Sequence, residues 1–222
     1  MKELTIFLLL LYISNLAGQK VESDTYNITE VSELSAYGTR VVLRKSGKDH
    51  IQGDQYYESK NRLASIYVDG KKTRRSYVRY NAMTDEIEVT EVFNILKRED
   101  IEIVLDEGYM YKILDFNGTK QFFIFLKEGK ISLVMKVEKI IKNGKGIVTG
   151  YEQTTPTKYV EKRSYFIKRD GDDLLSIKLK KKDILRALGD KKDEIEKYVT
   201  SKKLSYKKES DLIKIISYYN KL

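Results

Sequence analysis

Two dipeptides constrain this chain more than any other feature: Asp69-Gly70, between the segments 63–68 and 72–80, and Asn117-Gly118, between 109–116 and 119–127. A two-residue primed turn needs positive φ at both central positions, and Asp-Gly and Asn-Gly meet that need at least cost. Each pair therefore predicts a tight antiparallel hairpin, and together they commit the middle of the chain to a meander. Glu128-Gly129 is read as a bulged loop with its glycine left-handed, leading into a strand over 130–141. Asn143-Gly144-Lys145-Gly146 and Asp170-Gly171-Asp172 are read as closing later hairpins.

Side-chain alternation gives the faces. Ile131, Leu133, Met135 and Val137 fall on one side and Ser132 and Lys136 on the other, the pattern of a half-buried strand. Phe122, Phe123, Ile124, Phe125 and Leu126 run unbroken, which predicts a strand covered on both faces at the centre of the core. After Leu179 the apolar period lengthens to about 3.6. Ile184, Leu185 and Leu188 mark a short helix stopped at Gly189. Asp190 is expected to cap a second helix with Ile195, Tyr198, Val199 and Leu204 as its stripe, and Ser205 a third, on which Leu212, Ile215, Ile216 and Tyr219 share a face.

The expected fold is α+β: an antiparallel β-meander forming a curled or barrel-like sheet, with two or three short C-terminal helices over its open end or face. A lipid-facing barrel is disfavoured, because lysines and arginines interrupt most strands on both faces where such a barrel needs an apolar band.

Lys2, the apolar run from Leu4 to Ile13 and the small-residue stretch Asn15-Leu16-Ala17-Gly18 have the anatomy of a signal peptide, with cleavage expected after Gly18. The run is about half of the roughly 20 residues a spanning helix needs. The expected organisation is a signal peptide over 1–18, an irregular segment over 19–38, an antiparallel β domain over 39–179 and a basic helical tail over 180–222 packed on the sheet. Cysteine is absent from all 222 residues, which excludes disulfides, thiolate metal sites, a cysteine nucleophile and lipid attachment at an N-terminal cysteine. Export to a bacterial periplasm, an association with the outer membrane, or secretion is the expected location.

Arg79-Tyr80-Asn81-Ala82, running into Asp85-Glu86-Ile87-Glu88-Val89, resembles a group of secreted proteins of Bacteroidetes-type bacteria with a tyrosine-asparagine then aspartate-glutamate turn in mid-chain. The lysine-rich stretch 191–220, with Asp211-Leu212-Ile213 and Tyr218-Tyr219-Asn220 at its close, is similar to the tails of the same group. The resemblance implies an envelope or secreted location and carries no catalytic residues with it.

Catalytic signatures are sparse. The one histidine, His50, stands near Asp49 and Asp54 and is read as a surface residue, since no second histidine completes a metal site and no serine stands in a nucleophile elbow. Asp85, Glu86 and Glu88 form an acidic cluster of the kind glycoside hydrolysis uses, with Glu86 and Glu88 on one strand face about 7 Å apart. Basic residues on the preceding strand, Lys71, Lys72, Arg74, Arg75 and Arg79, account for the cluster equally well by cross-strand pairing. Asp170, Asp172 and Asp173 read as a turn, and the glycines around Lys145 lack the residues of a phosphate loop. No cofactor and no metal is expected.

Positive charge is concentrated. Residues 178–208 hold twelve basic and five acidic side chains, a net +7 of the chain's +9. Lys181, Lys182, Arg186, Lys191, Lys192, Lys202 and Lys203 are the candidate binding residues, for an acidic envelope protein, an anionic lipid or an anionic glycan. A solvated helix face supported by acid–base pairs three or four residues apart is the competing reading. The export signal argues against nucleic acid despite the 17 tyrosines. Tyr56, Tyr57, Tyr77, Tyr80, Tyr109 and Tyr111 suit half-buried strands better than a face for sugar or peptide. The leading expectation is a non-catalytic binding or assembly module. The alternatives are a carboxylate-based hydrolase acting on glycans and a carrier of a small molecule or lipid in a cavity inside the sheet.

Overall fold

The computed structural model describes residues 28–36, 39–46, 51–89, 93–144 and 155–222. The proposed signal peptide and His50 lie outside them. Contacts divide the chain into Met1–His50 and Ile51–Leu222. In the first unit β1 (Ile28–Ala36) and β2 (Thr39–Ser46) pair antiparallel, with Ala36 opposite Thr39. β1 falls in the segment expected to be irregular. Its apolar residues Ile28, Val31 and Leu34 recur every third position, which hides the period of two that marks a strand.

In the second unit the described strands are β3 (Arg62–Val68), β4 (Lys71–Asn81), β5 (Glu86–Val89), β6 (Phe93–Asn94), β7 (Ile101–Leu105), β8 (Met110–Phe116), β9 (Thr119–Lys127), β10 (Ile131–Lys142), β11 (Lys158–Arg169) and β12 (Leu175–Ile177). They form one antiparallel sheet in the order β12-β11-β10-β9-β8-β7-β3-β4-β5-β6. The meander is interrupted once, where the chain leaves β6 at one edge and returns to pair β7 with β3. Asp69 and Gly70 have φ of 50° and 69°, and Asn117 and Gly118 have 55° and 77°, the paired positive values of the expected primed turns.

The sheet curls. Four strands separate β4 from β10 in its order, a distance of about 24 Å if it were flat. Yet Lys139 N of β10 donates to Ala82 O, just past the end of β4, at 2.9 Å. Residues 52–57 close the same side. Gln52 exchanges backbone hydrogen bonds with Thr157 and Tyr159 at 2.9 and 3.0 Å, while Tyr57 N donates to Tyr80 O and Ala82 N to Gln55 O, both at 3.0 Å. These are isolated bonds, so the ladder itself stays open.

Alternation decides what each face buries. Ile87, Ile103, Ile113, Phe122, Ile124, Leu133, Met135 and Ile167 point to the inside of the curl and belong to the main core. Three helices cover it: α1 (Lys181–Ala187), α2 (Lys192–Ser201) and α3 (Glu209–Tyr219). Ile184, Leu188, Ile195, Leu212, Ile215 and Ile216 join the same cluster, each 1 % exposed or less. The helices are therefore part of the core and not an appendage. α3 is tied at both ends. Tyr165 OH of β11 donates to Glu209 Oε2 at 2.6 Å, and Asn220 accepts from Ile131 N at 3.0 Å and donates to Ile131 O at 2.9 Å.

The opposite face of β9 and β10 carries a second cluster of Phe123, Phe125, Val134 and Phe166, with Phe116 packed against it. That is why the unbroken run in β9 is apolar at every position, and why Val134 of β10 is buried as well as its neighbours Leu133 and Met135. Local details depart from expectation. Strands β10 and β11 pair out to Lys142 and Lys158, so Asn143-Gly144 opens a long connection and not a tight turn, with 145–154 outside the described residues. Gly129 has a positive φ of 158°, outside the left-handed helical values expected but one that L side chains rarely adopt, and a Cβ there would also overlap the Asn220 amide. Asp190 falls inside a 3-10 turn (Gly189–Lys191) that leads into α2, so Lys191 holds the cap position; α3 is capped at Lys208, after a turn begun by Ser205.

Candidate functional site

β9 and β10 are in register only as far as Ile124 opposite Met135 and then diverge. The turn between β4 and β5 enters the gap. Asn81 Oδ1 accepts from Met83 N at 3.1 Å and Thr84 N at 3.2 Å, which closes the turn, and Asp85 follows with φ of 58°. Aspartate tolerates this left-handed conformation better than most side chains. It aims the carboxylate into the seam, where Oδ1 accepts from Lys136 Nζ at 2.5 Å and Tyr80 OH at 2.8 Å, and Oδ2 from Lys97 Nζ at 2.6 Å. Phe122 N, left without a β10 partner by the divergence, donates to the same carboxylate at 3.3 Å.

Lys136 completes the arrangement. It donates to Phe122 O at 3.0 Å and to Tyr80 OH at 3.3 Å besides Asp85, and its side chain is 7 % exposed. Burial pulls its pKa down, and the Asp85 charge pulls it back up. A recess of about 340 Å³ opens over the group, with Met83 and Ile140 on its rim.

The three acidic candidates thus meet different partners. Both oxygens of Asp85 are occupied by donors. Glu86 accepts from Thr84 Oγ1 at 2.9 Å. Glu88 sits opposite Arg79 on β4 and accepts from Arg79 Nη2 at 3.2 Å and Tyr56 OH at 3.0 Å. Glu86 and Glu88 do share the strand face away from Ile87, but no free carboxylate pair faces a common cleft among the described residues. Asp170 and Asp172 flank Gly171 in the turn between β11 and β12.

The basic candidates separate into two places. Lys181, Lys182 and Arg186 of α1 and Lys192 of α2 line one open groove of about 670 Å³, floored by Leu185 and Gly189. Lys181 Nζ reaches across to Glu196 Oε1 at 3.3 Å and ties the two helices together. Arg186 is held loosely to Asp183 at 3.4 Å, whereas Lys182 and Lys192 have no acidic partner among the described residues. Lys191 pairs with Glu194 at 3.7 Å. Lys202 and Lys203 sit at the far end of α2, about 9 Å by helix rise beyond Glu196, the last residue of α2 that lines the groove.

The tyrosines do not form a shared exposed face. Tyr80 and Tyr111 are buried with ring centroids 5.4 Å apart, Tyr56 lies under the Arg79 guanidinium at 3.5 Å, and Tyr77 alone of the six is more than half exposed, at 56 %. Sequence reasoning missed Lys97 and Lys136 as partners of Asp85. The available signal was a lysine facing away from the core in a strand next to an unbroken apolar one.

Fold and site together define a curled antiparallel sheet roofed by helices, with a cationic groove on the roof. No protein-family model, curated protein or solved structure matches the chain. Among the described residues no helix is long and apolar enough to cross a membrane.

Proposed function

We propose that this is an exported, non-catalytic binding or assembly module of a bacterial envelope, which docks on an anionic partner through its C-terminal helices. The observation that carries the reading is the convergence of Lys181, Lys182, Arg186 and Lys192 on one groove in which, among the described residues, Glu196 is the acid. Field complementarity of this kind steers association and sets partner choice. The buried faces of α1, α2 and α3 belong to the main core, so the charged faces are carried on a rigid support.

The helices cannot be deleted without opening that core, so the test uses surface substitutions. Co-sedimentation of the protein with vesicles containing phosphatidylglycerol, against neutral phosphatidylcholine vesicles, reads the docking directly. Binding to the anionic vesicles alone, weakening with added salt and lost in K182Q/R186Q/K192Q, is the expected result. Equal binding of the triple variant, or equal binding to neutral vesicles, overturns the reading.

A further inference from the structure

We infer that the groove between α1 and α2 holds a single anionic amphiphile, its apolar chain along the floor and its acidic head among the lysines. The inference rests on the docking reading above and deepens it by naming the ligand class. Charge alone would be served by cations spread over an exposed face. Here they rim a concave site whose floor is carbon: Leu185, the backbone edge at Gly189 and the methylene stems of the lysines themselves. The volume of about 670 Å³ lies in the ordinary range for small-molecule sites.

Gly189 is what keeps the floor open. A Cβ there would meet nothing within 4 Å, and its φ is not in the left-handed region, so the glycine answers no need of packing or backbone. Gly189 lines the groove and the space beside its Cα is empty, so a large side chain there has room to occupy that space. A glycan has no apolar body for such a floor, and an inorganic anion leaves it wet. An alkyl chain with a phosphate or carboxylate head satisfies both parts, with the head neutralising Lys182 and Lys192, which lack acidic partners among the described residues.

The experiment is calorimetric titration of the intact protein with decyl phosphate below its micelle concentration, set against inorganic phosphate and against decyl maltoside. One molecule of decyl phosphate is expected to bind, at least about tenfold more tightly than either control. Gly189→Phe, which leaves every charge in place, should weaken it by about tenfold or more, and Glu196→Gln, which frees Lys181, should tighten it. Thermal melting of both variants is the control for folding, with cooperative transitions expected. Equal binding of decyl maltoside or phosphate, or indifference to Gly189→Phe, overturns the amphiphile. If that happens while anionic vesicles still bind, only the ligand class falls; if vesicle binding is also absent, the docking reading falls with it.

Discussion

The carboxylate of Asp85 and the ammonium of Lys136 meet at 2.5 Å in the gap left where β9 and β10 diverge, 51 residues apart in the chain. Divergence of β9 from β10 strips Phe122 N of its ladder partner, and the turn after β4 supplies a replacement in Asp85. Lys97 approaches the same carboxylate from the chain beyond β6. The curl of the sheet thus closes through isolated backbone bonds and this ionic contact, and not through a continuous ladder.

Removing one member of a buried ion pair strands the other. Asp85→Ala is expected to cost about 3–5 kcal/mol, because it leaves the buried Lys136 ammonium without its counter-charge and Phe122 N without its acceptor. Lys136→Met should cost less, since Asp85 retains Lys97 and Tyr80, and the double variant should fall short of the sum of the singles. Urea unfolding of the four proteins measures this. Equal losses for the two single variants would show that the pair does not organise the seam.

Alkali should unfold the protein through its tyrosines. Burial raises the Tyr57 pKa to about 12 and pushes Tyr80, Tyr109, Tyr111 and Tyr165 upward as well. The folded state then holds more protons than the unfolded one above about pH 10, so these groups contribute fully below that value and stability falls as pH rises toward the folded pKa values. Lys136, lowered by burial, acts in the opposite sense and returns some stability as pH climbs to its unfolded value. Phenolate absorbance from the buried rings is expected to appear together with loss of the sheet signal in circular dichroism. Full tyrosine titration in a protein still folded would contradict the burial.

Asn220 replaces a strand neighbour at Ile131, accepting from its N–H and donating to its carbonyl. Asn220→Ala should destabilise by about 1–3 kcal/mol. Gly129→Ala should also destabilise, because its Cβ would overlap the Asn220 amide. Denaturant midpoints check both, and an Asn220→Ala midpoint equal to wild type would mean the C-terminal tie is idle.

On the other face of the sheet Phe166 packs edge-on against Phe116 and Phe123, at centroid separations of 5.6 and 5.9 Å. Phe166→Ala should cost about 3–5 kcal/mol, and more than Phe116→Ala, whose ring is only partly buried. Comparable losses at the two positions in thermal unfolding would rule out a second core of this shape.

Much of the fold could be read from local chemistry. The turns at Asp69-Gly70 and Asn117-Gly118 need only two residues to declare themselves, and the stripe from Leu212 to Tyr219 needs a single helix. What stayed hidden depends on partners distant in sequence. Nothing near Ile66 announces that Ile103 lies opposite it, and nothing near Lys136 names Asp85. The helix starts misled for a different reason: Asp190 and Ser205 are good capping residues, but a 3-10 turn and an extra turn of chain carry the backbone past them before α2 and α3 begin. The basic candidates were legible as charge. That four of them share a groove depended on the angle between two helices, which no one-dimensional pattern carries.

The roof over the core has a consequence for synthesis. When the ribosome has made everything through Ile177, the sheet is complete but its inner face still lacks Ile184, Leu188, Ile195, Leu212 and Ile216. The nascent chain at that stage exposes a broad greasy surface and has no finished native state to settle into. Completion of the main core is thereby postponed until residues near 220 have emerged, because Leu212, Ile215 and Ile216 are among its most buried members.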